Sequence, residues 1–456
     1  VPIMRILHFS DFHLNGEKIS DAKHTLNFML KAIKKIQNER AIDLVVFSGD
    51  MLERGGEGYE KDLKAAFTSF KEVVINPIMA ELGIPLSRFI FAPGNHDIDR
   101  DADDEMMEDG IEKHTKDYNG IVNFAKNPKI AKYTARINSF KEFEENFYKD
   151  LDNVLYNGSR FVSTFEYDID GITVGVSALN NVWRCSCNDK DKIALGIHQI
   201  AEYTRHLEGK SIRLAVMHYP IEYLKETERH IVMELCARNF DVVFCGHSHQ
   251  GYVNMQAPLS NRAFLEVNTS GTLAANTYVN DSKYRNSFQI VDCEVGVQYA
   301  VRKYYQSDFQ DFILDVNNDY PDGNNIRHYP NPYQLEVLYK TYIDALHRDE
   351  ELRITHAISP FVLLDEFINR PNNVVMKSNF VRSARIDELM EEIKSGTKDY
   401  RLIALSGMGK TRIMSETFRG TPNVYYSYTG DCVNGVYELL KLKDPAVVIV
   451  DNCCNN

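Results

Sequence analysis

The 456-residue sequence has no apolar run longer than a strand, so no transmembrane helix is expected. It has no excess of positive charge. Its 52 Lys and Arg stand against 65 Asp and Glu, a net charge of -13, which argues against a broad electrostatic grip on nucleic acid but leaves room for a local basic groove. No secretory leader is expected, because Arg5 and Asp11 interrupt the first apolar stretch. Met4-Arg5-Ile6 reads as the natural start and Val1-Pro2-Ile3 as a cloning leftover. Cysteines are few. Of the eight, Cys185/Cys187 and Cys453/Cys454 are close pairs without a second pair at zinc spacing. Cys236, Cys245 and Cys293 sit in apolar surroundings as small core residues. This usage fits a reducing cytoplasm. Trp183 is the single tryptophan and reads as a packing residue. What remains is 44% hydrophobic and 26% charged, the composition of a soluble globular protein, at a length that predicts two or three domains.

The most informative stretch is Phe89-Ile-Phe-Ala-Pro-Gly-Asn-His-Asp97. An apolar run stops at Pro93-Gly94 and presents Asn95, His96 and Asp97, as a buried parallel strand does at the carboxyl edge of an α/β sheet. The same grammar recurs. Arg5–Ser10 leads to Asp11 and His13, Leu44–Ser48 to Gly49-Asp50, Ile212–Met217 to His218, and Asp241–Cys245 to Gly246-His247-Ser248-His249. One polar strand end is ordinary loop chemistry. Five in succession, all of metal-ligand residue types, indicate a site.

These blocks, Asp-x-His, Gly-Asp, Gly-Asn-His-Asp, a lone His and Gly-His-x-His, resemble in order the calcineurin-like metallophosphoesterases, over roughly the first 250 residues. The resemblance implies a four-layer α/β/β/α sandwich and two divalent metal ions, with Mn²⁺ favoured and Fe or Zn²⁺ possible for mixed carboxylate, amide and imidazole ligands. It assigns Asp11, His13 and His249 to one ion, Asn95, His218 and His247 to the other, and Asp50 to both. It makes His96 the general acid, and Asp97 could orient His96.

Along the chain, the periodicity predicts a helix over 20–39, a strand over 44–48 and a second helix over 58–82. An insertion follows at about 98–160. It opens with a strongly acidic run, read either as a solvated loop or as a lid, and is helical and aromatic from 121 to 148. A hairpin pairs 161–167 with 172–177, and residues 178–183 could line the pocket. Helices over 199–207 and 222–239 precede the His218 and His247 strands. Strands over 264–269, 287–294 and 298–305 are expected to finish a second sheet, so that a phosphoesterase domain covers 1–310. A turn-rich linker with a helix over 333–352 fills 311–370.

From 371 to 456 the pattern changes. After a helix over 385–394 closed by Gly396, Arg401-Leu-Ile-Ala-Leu405 reads as a strand running into Ser406-Gly-Met-Gly-Lys-Thr411. This is close to a P-loop, with Ala404 replacing its first glycine. Gly407, Gly409, Lys410 and Thr411 would cradle phosphate and Mg²⁺, and Asp451, after Ala446–Val450, resembles a Walker B carboxylate. Asn452 stands where a second acidic residue often polarises water. The expectation is the opening part of a parallel-sheet NTPase that binds ATP and Mg²⁺, in a chain cut from a longer protein.

A phosphoesterase followed by a P-loop resembles the bacterial STAND defence proteins, in which an NTPase controls an effector. That resemblance implies a nuclease or phosphodiesterase acting on nucleic acid or nucleotides, self-association through the NTPase region, a phage-derived trigger, a cytoplasmic location and no membrane partner. Gly49-Asp-Met-Leu-Glu-Arg-Gly55 also resembles the protein-phosphatase Gly-Asp-x-x-Asp-Arg-Gly, which keeps a phosphoprotein substrate open, and the start Ile6-Leu-His-Phe-Ser-Asp-Phe-His13 resembles that of cyclic-nucleotide phosphodiesterases and double-strand-break repair nucleases, which keeps a cyclic nucleotide open. A non-catalytic oligomerisation module is the remaining alternative.

Overall fold

The computed structural model describes residues 2–102, 105–152, 154–186, 189, 192–259, 262–273, 285–315, 326–331, 347–348, 353, 355, 358–396, 398–404, 407–429 and 432–451. The chain divides into two compact units, Val1–Val337 and Leu338–Asn456.

The first unit opens as the apolar runs dictate, with β1 (Ile3–Phe9), α1 (Ile19–Glu39) and β2 (Leu44–Phe47). The second helix starts at 63, not 58. Gly55, Gly56, Gly58, Glu60 and Lys61 all have positive φ, which no helix tolerates, and Asp62 then caps Ala65 N. From there α2 (Leu63–Phe70) runs through a π turn at Lys71–Ile75 into α3 (Asn76–Leu82), which leads to β3 (Phe89–Phe91). The insertion carries α4 (Glu105–His114), α5 (Tyr118–Ala125), α6 (Ile130–Tyr133) and α7 (Asn138–Tyr148), then β4 (Leu155–Gly158). Next come the hairpin β5 (Val162–Ile169) and β6 (Ile172–Leu179), α8 (His198–Ala201), β7 (Ile212–Val216), α9 (Glu226–Asn239) and β8 (Val242–Cys245). The helix expected over 199–207 breaks after one turn, and His206 turns inward to Ser177 Oγ at 2.8 Å. Beyond β8 lie β9 (Tyr252–Leu259), β10 (Arg262–Asn268), β11 (Ser287–Glu294), β12 (Gln298–Gln306), β13 (Phe312–Leu314) and β14 (Arg327–Pro330).

Two seven-stranded mixed sheets result. One has the order β13-β12-β11-β1-β2-β3, with β14 also on β12, and the other β4-β5-β6-β7-β8-β10-β9. Strands β11 and β12 therefore complete the first sheet, not the second as their sequence suggested. Their register is fixed where Arg5 of β1 lies opposite Asp292 of β11 and donates two hydrogen bonds to its carboxylate, at 2.6 and 2.9 Å. The first sheet also continues beyond residue 310 through β13 and β14.

Period-two alternation builds the layers. Leu214, Val216, Val242, Phe244, Leu265 and Val267 face a core shared with β1, β2 and α1. Ala215, Met217, Val243, Cys245 and Phe264 face a second core under α8 and α9. The insertion has its own small core around Ile111, Ile121, Phe124 and Trp183, whose indole N–H donates to Leu195 O at 3.3 Å. Its acidic opening is not a wholly solvated run. Asp97 is fully buried, and Glu108 pairs with the buried Arg136.

The second unit contains β15 (Val362–Leu363), α10 (Leu364–Asn369), α11 (Val374–Lys377), α12 (Ala384–Ser395), α13 (Lys410–Phe418), β16 (Val424–Ser427), α14 (Val433–Lys443) and β17 (Val447–Val450). Its sheet order is β15-β16-β17, with β16 and β17 parallel. Residues 401–404 are not a strand, and Ile403 is 82% exposed. An apolar run becomes a strand only when a neighbour takes its backbone bonds, and among the described residues none does. The expected helix over 333–352 falls almost wholly outside the described residues. Among the described residues no helix is long and apolar enough to cross a membrane.

Candidate metal centre

The parallel strands β1, β2 and β3 end side by side, as do β7 and β8, and their following loops converge. The first two loops zip together. Asp11 N donates to Gly49 O, His13 N to Asp50 O and Leu14 N to Met51 O, each at 3.0 Å. Along that path Asp11 (52°), His13 (47°) and Asp50 (51°) take positive φ, and so do His247 (68°) and His249 (52°) after β8. Asp and His accept this region better than most residues, yet each such residue still costs about 1–3 kcal/mol, a strain that gathers at functional sites. Two glycines allow the close approach. A Cβ on Gly94 would lie 2.1 Å from Asp50 N, and one on Gly49, itself at φ 102°, would lie 2.6 Å from His218 Nδ1.

Both carboxylates are held in the same way, with one oxygen bound to backbone and the other turned inward. Asp50 Oδ1 accepts His96 N at 2.8 Å, and Oδ2 lies 3.2 Å from His218 Nε2 and 3.7 Å from His13 Nε2. Asp11 Oδ2 accepts His247 N at 3.1 Å, and Oδ1 lies 3.3 Å from His249 Nε2 and 3.8 Å from His13 Nε2. His218 Nδ1 faces Ser48 O at 2.9 Å, which places a proton on Nδ1 and makes Nε2 the nitrogen that would bind a metal once its own proton is released. Asn95 Oδ1 lies 3.1 Å from that Nε2.

Three groups of metal-ligand side chains follow: Asp11, His13 and His249; Asp50, His218 and His247; and His13, Asp50 and His96. Two divalent ions fit these donors. Ligands about 2.1 Å from a shared ion sit about 3 Å apart, close to the spacings seen here. Asp11 Oδ1 is buried without a hydrogen-bond partner, as an oxygen reserved for a cation would be. The electrostatics agree. Burial alone would lower His218, but the Asp50 carboxylate outweighs it and raises His218 to about 9. His13 is raised against its burial by Asp11 and Glu53. Burial, reinforced by the charge on His218, pushes His247 down to about 4. Asp50 is held well below the carboxylate range, the imidazoles of His218 and His96 overcoming its burial.

His96 borders both groups. Its ring meets His13 edge-on at 4.6 Å, and its Nδ1 accepts Arg54 N at 3.1 Å, which leaves the proton on Nε2. Asp97 does not orient it. The Asp97 oxygens accept Leu52 N at 2.9 Å and Gly94 N at 2.8 Å, and burial together with Asp50 raises its carboxyl to about 7. Asp97 therefore braces the loop, while Glu53 approaches His96 Nδ1 at 3.5 Å and His13 Nδ1 at 3.3 Å. The signal for Glu53 was its place in Gly-Asp-Met-Leu-Glu-Arg-Gly. A cavity of about 680 Å³ opens over the site, and Asn15, Lys18, Arg54 and Glu57 line it beyond the histidines. No described residue of 98–160 lines it, nor does any of 178–183.

In the second unit Gly407 and Gly409 take left-handed φ of 80° and 81° ahead of α13. Thr411 Oγ1 donates to Asp451 Oδ2 at 2.5 Å, Tyr426 OH donates to the same oxygen at 3.0 Å, and Lys410 Nζ donates to Ala404 O at 2.8 Å. Leu405, Ser406 and Asn452 lie outside the described residues.

Over 416 residues the chain is 20% identical to an uncharacterized metallophosphoesterase-like protein of Bacillus subtilis, YydB, covering 86% of this chain and 77% of that protein. Among solved structures it is similar to GAP50, the anchor in the inner membrane complex of Plasmodium (11% identity, TM-score 0.38, 72% of this chain and 88% of the other). It is also similar to the purple acid phosphatase PPD1 of yellow lupin (14% identity, TM-score 0.37, 67% and 52%). The family model for calcineurin-like phosphoesterases matches residues 4–251, more than half of the sequence, and the chain belongs to that family.

Proposed function

We propose that the first unit is a two-metal phosphodiesterase that cleaves nucleic acid or nucleotides. The observation that carries this reading is Asp50 Oδ2, which faces His218 on one side and His13 on the other while its partner oxygen is tied to His96 N. Asp11, His13 and His249 would hold one ion, Asn95, His218 and His247 the other, and Asp50 both. Two bound divalent ions, Mn²⁺ favoured by the donor set, supply Lewis acidity and lower the pKa of water. The chain's own part is then to place the ester and deliver a proton. His96, with its proton on Nε2, donates to the leaving oxygen. Lys18 and Arg54 are the Lys and Arg side chains that line the cavity, with Arg54 paired to Glu53 at 3.3 Å, and about 680 Å³ is room for a nucleotide-sized ester.

The Glu53-Arg54 pair, in the position of the phosphatase Asp-Arg, supports phosphoprotein as a second substrate class. Plasmid DNA, RNA, cyclic nucleotides and phosphopeptides assayed with Mn²⁺ separate the two. Cleavage of the first three supports the proposal, and dephosphorylation of peptides alone overturns it.

The second unit is proposed to bind Mg-ATP as a STAND-type NTPase element. The Thr411–Asp451 contact supports this, since these are the oxygens that would share Mg²⁺. Control of the phosphoesterase by that element, self-association through it and a phage-derived trigger rest on the order of the two motifs, which is an argument from architecture. Lys410→Ala should abolish ATP binding measured by calorimetry, and retained binding would refute the P-loop assignment.

A further inference from the structure

Asn95 poses a problem that its strand-end position does not solve. A side-chain amide serves a cation only through its oxygen, and its two ends are alike in size, so something must hold the nitrogen away. Asp189 does this. Its Oδ2 accepts Asn95 Nδ2 at 2.9 Å, and an ionised carboxylate accepts only. Asn95 Oδ1 is thereby turned toward His218 Nε2. Asp189 is itself fixed. Ser186 N donates to its Oδ1 at 2.7 Å, and the Tyr219 hydroxyl donates to its Oδ2 at 2.9 Å. Tyr219 follows His218 in sequence, is 1% exposed, and packs on His247 with ring centroids 4.1 Å apart. Its backbone is pinned by Asn181, which donates to Tyr219 O at 2.8 Å and accepts from Tyr219 N at 3.2 Å.

We propose that Asp189 is a positioning residue for the buried half of the metal centre: it fixes the Asn95 amide with its oxygen inward and adds a negative charge behind it. This deepens the two-metal reading and rests on it. Partners of this kind, standing behind a ligand, typically contribute 10–100-fold to metal affinity.

The test is a Mn²⁺ titration of the full chain by calorimetry, with the metal-free melting temperature as a folding control. Asp189→Ala should weaken one of two sites about 10–100-fold and leave the other unchanged. Asp189→Asn, of the same shape, should fall between wild type and Asp189→Ala. The decisive variant is Asn95→Asp. A carboxylate ligand has no wrong end, and Asp189 would now repel it. In that background no amide orientation is left to lose, and Asp189→Ala should weaken Mn²⁺ binding clearly less than it does in wild type. A purely structural Asp189 would give the same loss in both backgrounds, and that result, or unchanged binding by Asp189→Ala, overturns the proposal. Wild-type protein that binds no Mn²⁺ would instead overturn the two-metal reading itself.

Discussion

The two halves of the candidate metal centre share Asp50 and have two histidines each, with Asp11 on one side and Asn95 on the other, and they differ in their surroundings. Asp50 and His218 are closed off, with side chains 2% and 0% exposed, and His218 and Asn95 each have an outward partner, Ser48 O and Asp189. The other half is open. His249 is 41% exposed, and its side chain meets Asp11 and His13. Ligands with fixed outer partners are pre-organised and shielded from water, whereas an exposed imidazole can swing away. The difference teaches that affinity and access are divided within a single site. On the two-metal proposal, the buried half would retain its ion, and the open half would be where exchange occurs and substrate enters.

Asp50→Asn should erase the comparison, because it weakens both halves at once. Metal content after dialysis should fall from two ions to below one, and hydrolysis should fall to background. Retention of both ions would remove Asp50 from its bridging position.

His96→Ala should separate chemistry from ligation. Hydrolysis is expected to drop about 10²–10⁴-fold with two ions still bound. Loss of an ion in that variant would make His96 a ligand of one half.

Acidity should act on both halves through different histidines. Metal binds neutral imidazole. Without metal, His218 holds its proton up to about pH 9, and His13 is raised in the same direction, whereas His247 at about 4 is already neutral at pH 7. Binding near pH 7 should thus release about one proton per ion, and affinity should rise about tenfold per pH unit up to pH 9. Calorimetry in buffers of different ionisation enthalpy measures this, and proton-independent binding would contradict it.

The mildest perturbation is a chelator. One ion should leave before the other, and His249→Ala should speed loss of that first ion without affecting the second. Simultaneous loss would mean that the halves do not differ.

How much of this the sequence carried depended on how local the cause is. The five strand ends were readable because a short buried parallel strand is a contiguous apolar run and its polar site residues follow at once. Sheet membership was not, since β11 has the same alternation whichever sheet it joins. It is decided by pairing with β1, where Arg5 meets Asp292, 287 positions apart. Asp97 was misread for a related reason. Adjacency to His96 suggested contact, but positive φ at Asp50 and the sharp turn at Gly94 direct its carboxylate to backbone amides instead. Asp189 has no motif, and its contact with Asn95 spans 94 positions. In the second unit Gly407 and Gly409 were read as turn glycines, and both take left-handed φ. The strand before them was not safe to infer, because Leu402 and Ile403 need neighbours that the described sheet does not supply.

The central claim is that one carboxylate oxygen joins two unequal metal sites. The most direct measurement is anomalous scattering from crystals grown with Mn²⁺. The account predicts two peaks about 3.5–4 Å apart on either side of Asp50 Oδ2, with the peak beside Asn95, His218 and His247 the better occupied. A single peak, or two peaks that Asp50 does not bridge, would contradict it.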